Sequence, residues 1–311
     1  MAVVSSASLG LIAEEVAAEL GMESRRLESR RFPDGEGYVR VPEDAFDAVR
    51  SEPVILVAST FPDSGIIESL LALHALRDVR KGRIESLRSQ GESLEDVGPG
   101  IFLAVPYFGY ARQDKRFSPG EPIAAVGITE LMLQNCDGMT ILDLHEPASL
   151  EGRGSSIDFC SAIPELAEHL RSEVRPDFIL SPDKGAIGRA EAVASLLDVP
   201  CSYLNKRRID ARTIVHEAKD LEVGGAVVAI VDDMISTGGT ICRAADSLRA
   251  QGATEVHAVC THGLFTSGAV LRLSRHVDGV HATNSLPNPR VSVGVGAALA
   301  RGVVRLMQSP S

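Results

Sequence analysis

Two adjacent carboxylates stand shortly before a turn rich in hydroxyls and glycine in the stretch AIVDDMISTGGTI, residues 229 to 241. Asp232 and Asp233 would repel a phosphate, but carboxylates are strong acceptors for paired hydroxyl donors. In the turn that follows, glycine-permitted backbone N–H groups and hydroxyls can converge on phosphate oxygens at a helix N-terminus. Because a sugar phosphate carries both diol and phosphate, the stretch predicts a pentose phosphate site.

The same residue types also occur where nothing is bound. A strand, a turn and a helix with acids at the strand end would show them in an ordinary connection, and the motif alone leaves that alternative open. The lysine of a GxxxxGKS loop is missing, so the stretch is not a P-loop nucleotide site.

The elements that must position this stretch are predicted by apolar runs of strand length that end at polar residues. Five such runs are PVILVAST (53 to 60), IFLAVPYFGYARQD (101 to 114), MTILDLH (139 to 145), DFILSPD (177 to 183) and GAVVAIVDD (225 to 233). They are too apolar for half-exposed strands, and helix-like segments separate them. The alternation predicts an α/β fold with parallel sheets buried on both faces.

Polar side chains stand at the end of every one of these runs. In open parallel sheets the ligand crevice lies outside the carboxyl ends of the strands. The residues delivered there are Asp114, Asp143, His145, Asp183, Asp232 and Asp233. Any one of them alone is more typical of a helix cap or a turn, whereas their repetition indicates one or two facing clefts.

Bulk properties exclude several classes of protein. A chain of 311 residues predicts two domains, and a net charge of −11 disfavours nucleic-acid binding. No uncharged run approaches a membrane span, and the N-terminal segment does not resemble a signal peptide. The five cysteines show no CxxC pairing, so we expect reduced thiols and a cytoplasmic protein.

The stretch around the acid pair resembles the phosphoribosyl-diphosphate loop of type I phosphoribosyltransferases and ribose-phosphate diphosphokinases. Other motifs resemble the diphosphokinases, in that family's order: RRFPDGEGYVRV (30 to 41), PYFGYARQDKRF (106 to 117), GEPI (120 to 123), DLHEP (143 to 147), SPDKGA (181 to 186) and LNKRRIDARTIV (204 to 215). The sequences of three of these motifs, STGGT, RQDKRF and SPDKG, are similar to those of archaeal members. A connection at 77 to 100 is longer than is usual in the family.

The resemblance implies an α/β protein of two phosphoribosyltransferase-like domains, each a mainly parallel sheet flanked by helices, with the active site between them. Residues 1–157 with 291–311 would form the first domain and 158–290 the second. The implied reaction is Mg²⁺-dependent transfer of the β,γ-diphosphoryl group of ATP to the C1 hydroxyl of ribose 5-phosphate, within a homodimer or larger homo-oligomer.

The resemblance also implies roles for individual residues. ATP would be bound by Phe32, Asp34, Gly35, Glu36, Arg112 and Gln113, the first four supplied to a neighbouring subunit. Ribose 5-phosphate would be bound by Arg208, Asp232, Asp233, Ser236, Thr237, Gly238, Gly239 and Thr240. Mg²⁺ would be held by His145 and Asp183, and Lys206 and Arg208 would be the catalytic pair of a mobile flap. Magnesium prefers oxygen ligands, which favours Asp183 over His145.

Two alternatives remain open at this stage. A type I phosphoribosyltransferase would use the same loop to consume phosphoribosyl diphosphate, although such enzymes are typically shorter and lack the first half. A non-catalytic regulatory relative would keep the fold but should have lost flap or metal residues, and here both sets are present.

Overall fold

The computed structural model describes residues 1–82, 100–152, 156–208, 214–217 and 221–308. It divides the chain into two compact units, Met1–Ser161 with Val295–Ser311, and Ala162–Gly294. The predicted boundaries at 157/158 and 290/291 each lie four residues earlier. Strand pairing accounts for the difference: Ile157–Cys160 joins the first sheet, and Val291–Val293 joins the second.

The first unit is built on one six-stranded sheet. Its strands are β1 (Ala2–Ser5), β2 (Ser24–Arg26), β5 (Val54–Val57), β6 (Ile101–Val105), β7 (Gly138–Leu142) and β8 (Ile157–Cys160), all parallel in the order β2-β1-β5-β6-β7-β8, and β3 (Glu28–Arg31) and β4 (Gly37–Arg40) form an antiparallel hairpin. The helices are α1 (Gly10–Glu19), α2 (Phe46–Ser51), α3 (Asp63–Arg80), α4 (Ala124–Leu133) and, from the end of the chain, α9 (Gly296–Gln308).

The second unit repeats this plan. Its strands are β9 (Phe178–Ser181), β10 (Cys201–Tyr203), β13 (Val227–Ile235), β14 (Glu255–Gly263), β15 (Gly279–Thr283) and β16 (Val291–Val293), all parallel in the order β10-β9-β13-β14-β15-β16, and β11 (Asn205–Arg208) pairs antiparallel with β12 (Ile214–Glu217). The helices are α5 (Ile163–His169), α6 (Ile187–Leu197), α7 (Gly239–Ala250) and α8 (Ala269–Leu273). Short 3-10 segments at Ala7–Leu9, Glu43–Ala45 and Pro147–Leu150 and a π-helical turn at Leu170–Val174 complete the described elements.

Both sheets bury the residues that the apolar runs predict. Every residue of β5 and β7 is buried, as expected for parallel strands covered by helices on both faces. In each unit the strand order reverses beside the first strand, between β1 and β5 and between β9 and β13. Such a reversal opens a crevice at the carboxyl ends of the two strands, where ligands bind in open α/β sheets.

One predicted run is only partly a strand. The segment 101 to 114 leaves the sheet after Val105, because Pro106 has no N–H to donate to a neighbour. A glycine then allows a close backbone approach: a Cβ on Gly109 would lie 2.5 Å from the Thr60 carbonyl oxygen. The remainder of the run is therefore a loop. The long connection at 77 to 100 begins as the last turn of α3, and its residues 83–99 lie outside the described part of the chain.

The final helix returns to the first unit, where it packs on α1, β7 and β8. A Cβ on Gly302 would lie 2.1 Å from Thr140 Oγ1, so only glycine permits this approach. Arg305 donates from Nε and NH2 to the two oxygens of Asp158 at 2.9 and 2.8 Å. Bidentate pairing of this kind fixes the orientation of the helix as well as its position.

Three histidines form a hydrogen-bonded chain on the second sheet. His169 Nε2 lies 2.9 Å from His281 Nδ1, and His281 Nε2 lies 3.1 Å from His257 Nδ1, whose own Nε2 is 3.2 Å from Glu255 Oε2. Their closeness depends on Gly279, where a Cβ would lie 2.4 Å from His257 Nδ1. Burial, and then the two neighbouring imidazoles, lower the pKa of His281 to about 4. The His281 ring is therefore neutral at neutral pH.

Candidate active site

The acid pair lies near the carboxyl end of β13, beside β9 in the second sheet. Asp233 is buried and Asp232 is half-buried. Each carboxylate accepts the next backbone N–H: Asp233 N–H donates to Asp232 Oδ1, and Met234 N–H donates to Asp233 Oδ1, both at 2.9 Å. These bonds orient both carboxylates within the protein, so their remaining acceptor capacity has a defined direction.

Two neighbouring acids at a buried strand end require a compensating cation. Arg189, in the first turn of α6, places NH1 4.0 Å from Asp233 Oδ1, and only 17% of the arginine side chain is exposed. Burial raises the pKa of Asp232, and the adjacent Asp233 raises it further, whereas Arg189 lowers it. Arg189 therefore favours the charged form of the pair, in which the carboxylates accept hydroxyl donors.

The glycine-rich turn directly follows the acid pair and opens α7. Gly238 has a φ of +74°, in the left-handed region, and no side chain caps the helix at this residue. A Cβ there would lie 3.0 Å from Leu273 Cγ, so the position requires glycine for both its conformation and its contact. The resulting backbone turn presents the N-terminal end of a twelve-residue helix, the arrangement that binds phosphate.

Asp183 lies in the loop after β9, which is the strand paired with β13. Its Oδ1 accepts backbone N–H groups from Gly185 at 2.9 Å and Ala186 at 3.2 Å, just before α6 begins. Asp183 therefore has a structural role in addition to its predicted metal role, since it holds the loop that starts the helix carrying Arg189.

The predicted flap is an antiparallel hairpin in its described part. Lys206 and Arg208 lie in β11, and their partners in β12 are His216 and Ile214. The tip of the predicted flap, residues 209–213, lies outside the described residues.

The predicted adenine-binding residues form the turn of the β3–β4 hairpin. Phe32 and Glu36 close it, since Phe32 N–H donates to the Glu36 carbonyl at 2.9 Å, and Gly35 has a φ of +95°. Glu36 N–H donates to Asp34 Oδ1 at 3.0 Å. The Phe32 ring is 40% exposed, and the Arg30 guanidinium lies 5.3 Å from its centroid. An exposed phenyl ring with adjacent acceptors is suited to stacking on a base.

The two remaining predicted sites lie on loops of the first sheet. Arg112 is exposed and Gln113 is half-buried in the loop after β6, where Gln113 N–H donates to the Tyr110 carbonyl at 3.0 Å. His145 is exposed in the loop after β7. Asp143, a strand-end acid two residues earlier, is buried and accepts from Ser161 Oγ at 2.6 Å, which gives this acid a structural role.

The chemistry of these residues fits magnesium at Asp183. A carboxylate with one oxygen held by amides is a hard oxygen ligand, and Mg²⁺ typically takes one or two such ligands with waters and phosphate oxygens. Among the residues that the structure describes, no three His, Cys, Asp or Glu side chains cluster so as to hold a metal.

Two arginines at the site were not singled out from the sequence. Arg189 contacts the acid pair, and Arg272 donates from NH1 to the carbonyl of Thr237 in the glycine loop. Arg189 could have been found from the sequence, since it is the one charged residue in the first three positions after SPDKGA. Arg272 could not, because it is distant from the loop in sequence and is brought to it only by the tertiary structure.

The fold and site define the class of protein. The family profile described as the phosphoribosyl transferase domain matches residues 158–281, which include the acid pair and the glycine loop. A second profile, described as the N-terminal domain of ribose phosphate pyrophosphokinase, matches residues 1–87.

Relatives cover nearly the whole chain. A protein of Methanopyrus kandleri named ribose-phosphate pyrophosphokinase is 35% identical over 300 residues, 95% of this chain and 96% of the relative. One of the same name from Thermococcus kodakarensis is 37% identical over 90% of this chain and 93% of its own. The crystal structure of phosphoribosylpyrophosphate synthetase from Mycobacterium smegmatis matches with a TM-score of 0.77 and 27% identity, over 99% of each chain.

The chain belongs to the ribose-phosphate pyrophosphokinase family, also called the diphosphokinases. The predictions of family membership and of two parallel-sheet α/β domains are confirmed. Among the described residues, none of the helices is both long enough and apolar enough to cross a membrane.

Proposed function

We propose that this chain transfers the β,γ-diphosphoryl group of ATP to the C1 hydroxyl of ribose 5-phosphate, giving phosphoribosyl diphosphate and AMP. The observation that carries the proposal is the acid pair and the glycine loop on consecutive residues of one strand end. A second support is the match of the first 87 residues to the pyrophosphokinase N-terminal domain. Type I phosphoribosyltransferases are typically shorter and lack that first half.

In the proposed complex the sugar is bound at both ends. Asp232 and Asp233 accept hydrogen bonds from its ring hydroxyls. The 5-phosphate is bound by the turn that begins α7, with hydroxyl and backbone donors from Ser236, Thr237, Gly238, Gly239 and Thr240. Arg208 of the hairpin adds a cation to the same ligand.

The nucleotide is assigned to loops of the first unit. Phe32 stacks on adenine, while Asp34, Gly35 and Glu36 accept or donate around it, and Arg112 and Gln113 bind phosphate oxygens. The exposed position of the Phe32 turn on a hairpin supports its use by a neighbouring subunit, so the proposal includes a homodimer or larger homo-oligomer.

We assign the metal to Asp183, with His145 as a second ligand, direct or through water. The chemistry that Mg²⁺ supplies when bound is partial neutralisation of the negative charge on the phosphate groups. Asp183 keeps its carboxylate oriented through the Gly185 and Ala186 amides, so the loop that binds the ion is pre-formed.

The reaction needs no covalent enzyme intermediate. The C1 hydroxyl oxygen forms a bond to the β-phosphorus, the bond from that phosphorus to the α–β bridging oxygen breaks, and AMP leaves with the bridging oxygen. The proton of the hydroxyl passes to solvent or to an acid of the pair. Lys206 and Arg208 stabilise the charge that develops on the transferred group, and the hairpin excludes water.

The five cysteines support a reducing cytoplasm as the location. All are free, and burial raises the pKa of Cys136 to about 12 and that of Cys201 to about 11, which makes them unreactive thiols.

The test is phosphorus NMR of the purified chain with Mg²⁺, ATP and ribose 5-phosphate. We expect resonances of AMP and of a C1-linked diphosphate. Formation of ADP, or no turnover, would refute the proposal. Base-dependent release of diphosphate from phosphoribosyl diphosphate would instead identify a phosphoribosyltransferase.

A further inference from the structure

One short segment, residues 264–273, supports the glycine loop, residues 236–240, which is proposed above to bind phosphate. The Ile235 carbonyl accepts N–H groups from Leu264 and Phe265 at 3.1 and 3.0 Å, which continues the β13–β14 pairing past the strand ends. Thr266 N–H donates to the Ser236 carbonyl at 3.0 Å, and the two side-chain hydroxyls of this pair are also 3.0 Å apart. Ser236, the first residue of the loop, is therefore held by two groups of Thr266, and Ile235 before it is held by two further backbone N–H groups.

The backbone of this segment is unusual in a way that brings α8 to the loop. Phe265, Ser267 and Gly268 have φ values of +44°, +54° and +72°, and α8 begins at the next residue. Left-handed conformations at residues other than glycine cost free energy and persist where the surrounding structure requires them. Here they turn the chain so that Leu273 packs against Gly238, where a Cβ would lie 3.0 Å from its Cγ.

Arg272 makes the polar contact of α8 with the loop. Its NH1 donates to the Thr237 carbonyl, and its NH2 donates to the Ser267 carbonyl at 3.4 Å. In a trans peptide the C=O and N–H groups point in opposite directions. A Thr237 carbonyl held toward Arg272 therefore directs the Gly238 N–H away from α8, to the opposite side of the loop.

We propose that Arg272 is a positioning residue: it holds the peptide between Thr237 and Gly238 in the one orientation in which the Gly238 N–H faces the bound 5-phosphate. The inference rests on the proposed function, since it takes this loop as the phosphate end of a ribose 5-phosphate site. The guanidinium also places a positive charge beside the loop, in a chain whose net charge is −11. The guanidinium is essential, because its two NH2 groups donate to two separate carbonyls, those of Thr237 and Ser267. The ammonium group of a lysine is one compact donor and does not span both.

The experiment compares three variants by calorimetric titration with ribose 5-phosphate and with ATP. Arg272→Met removes both the fork and the charge, and Arg272→Lys keeps the charge alone. Arg275→Met is the matched control, since Arg275 is an exposed arginine three residues further along.

We expect R272M and R272K both to weaken ribose 5-phosphate binding by about 10- to 100-fold, the range observed at metal sites when an outer hydrogen-bond partner that orients a ligating group is lost. ATP affinity should be unchanged in all three variants, and R275M should bind both ligands as the wild type does. Binding of unphosphorylated ribose should be equally weak with and without Arg272, because the lost contact is with the phosphate.

Wild-type affinity for ribose 5-phosphate in R272M would overturn the proposal. Wild-type affinity in R272K would also overturn it, because it would show that Arg272 contributes only its positive charge. If R272M does not fold, R272K alone decides the question, since the same loss is predicted for it. A wild-type chain that binds ribose 5-phosphate without forming product would sink the proposed reaction and leave the role of Arg272 to be judged by these affinities. A wild-type chain that does not bind the sugar phosphate would sink both.

Discussion

Replacement of Gly238 by alanine tests the glycine loop most directly, because the adjacent Gly239 provides a matched comparison. At Gly238 the backbone has a φ of +74°, and an added Cβ would lie 3.0 Å from Leu273 Cγ. At Gly239 the nearest atom to an added Cβ, Arg243 NH1, lies at 3.6 Å, an ordinary contact. The two substitutions are chemically identical and differ in conformation and space.

The expected magnitude follows from these two numbers. A left-handed conformation costs an alanine about 1 to 2 kcal/mol, and a contact of 3.0 Å against a buried leucine adds roughly 1 to 2 kcal/mol of overpacking. We therefore expect Gly238→Ala to lower the free energy of unfolding by about 2 to 4 kcal/mol. Gly239→Ala, at the first residue of α7, should be neutral or stabilise slightly, because alanine is the better helix former.

Urea unfolding followed by circular dichroism measures both variants against the wild type. Binding of ribose 5-phosphate and of ATP measured in parallel shows whether the loss is confined to the phosphate end, as we expect for Gly238→Ala. If the two variants unfold within about 0.5 kcal/mol of each other, the scatter of ordinary surface substitutions, the left-handed turn and its contact with α8 are not what the structure indicates.

Three further predictions concern single side chains. Lys206→Ala should lower kcat by about 10²- to 10³-fold with little change in ATP affinity, as for removal of one group that stabilises transition-state charge, and a wild-type rate would remove this residue from the catalytic pair. Arg189→Met should move the acid limb of ribose 5-phosphate binding to higher pH, because the pKa of Asp232 is already raised by burial and loses an opposing cation; Arg189→Lys should restore most of it, and an unmoved limb contradicts the assignment. His281→Gln should flatten the dependence of unfolding free energy on pH: the folded-state pKa of about 4 lies below the ordinary 6.5, so the unfolded chain binds the extra proton and wild-type stability falls as pH decreases from 6.5 to 4. If the melting temperatures of the wild type and the variant change equally with pH between 6.5 and 4, this prediction is refuted.

The predictions that the sequence supports well are those carried by contiguous residues. A strand buried on both faces needs an unbroken apolar run, so β5, β7 and β13 are visible as such in the chain. The acid pair and the glycine loop are likewise local, since a strand end, a turn and a helix start follow one another within a few residues. Strand limits were predicted less well: the apolar run extends to residue 114, but β6 ends at Val105, where Pro106 interrupts the pairing. The rest of the run is a loop in which Gly109 contacts the distant Thr60.

The amino-acid sequence by itself determined the class of fold and the family, because periodicity and short motifs act over neighbouring residues. It also carried the prediction of what the acid pair and its loop bind. Only the tertiary structure determined which cationic side chains contact the acid pair and the loop. Arg189 reaches Asp233 of β13 from helix α6, and Arg272 reaches Thr237 across a separation of 35 residues. Such contacts arise where the carboxyl ends of different strands lie close together. The spacing of residues along the chain does not indicate which distant residues meet there.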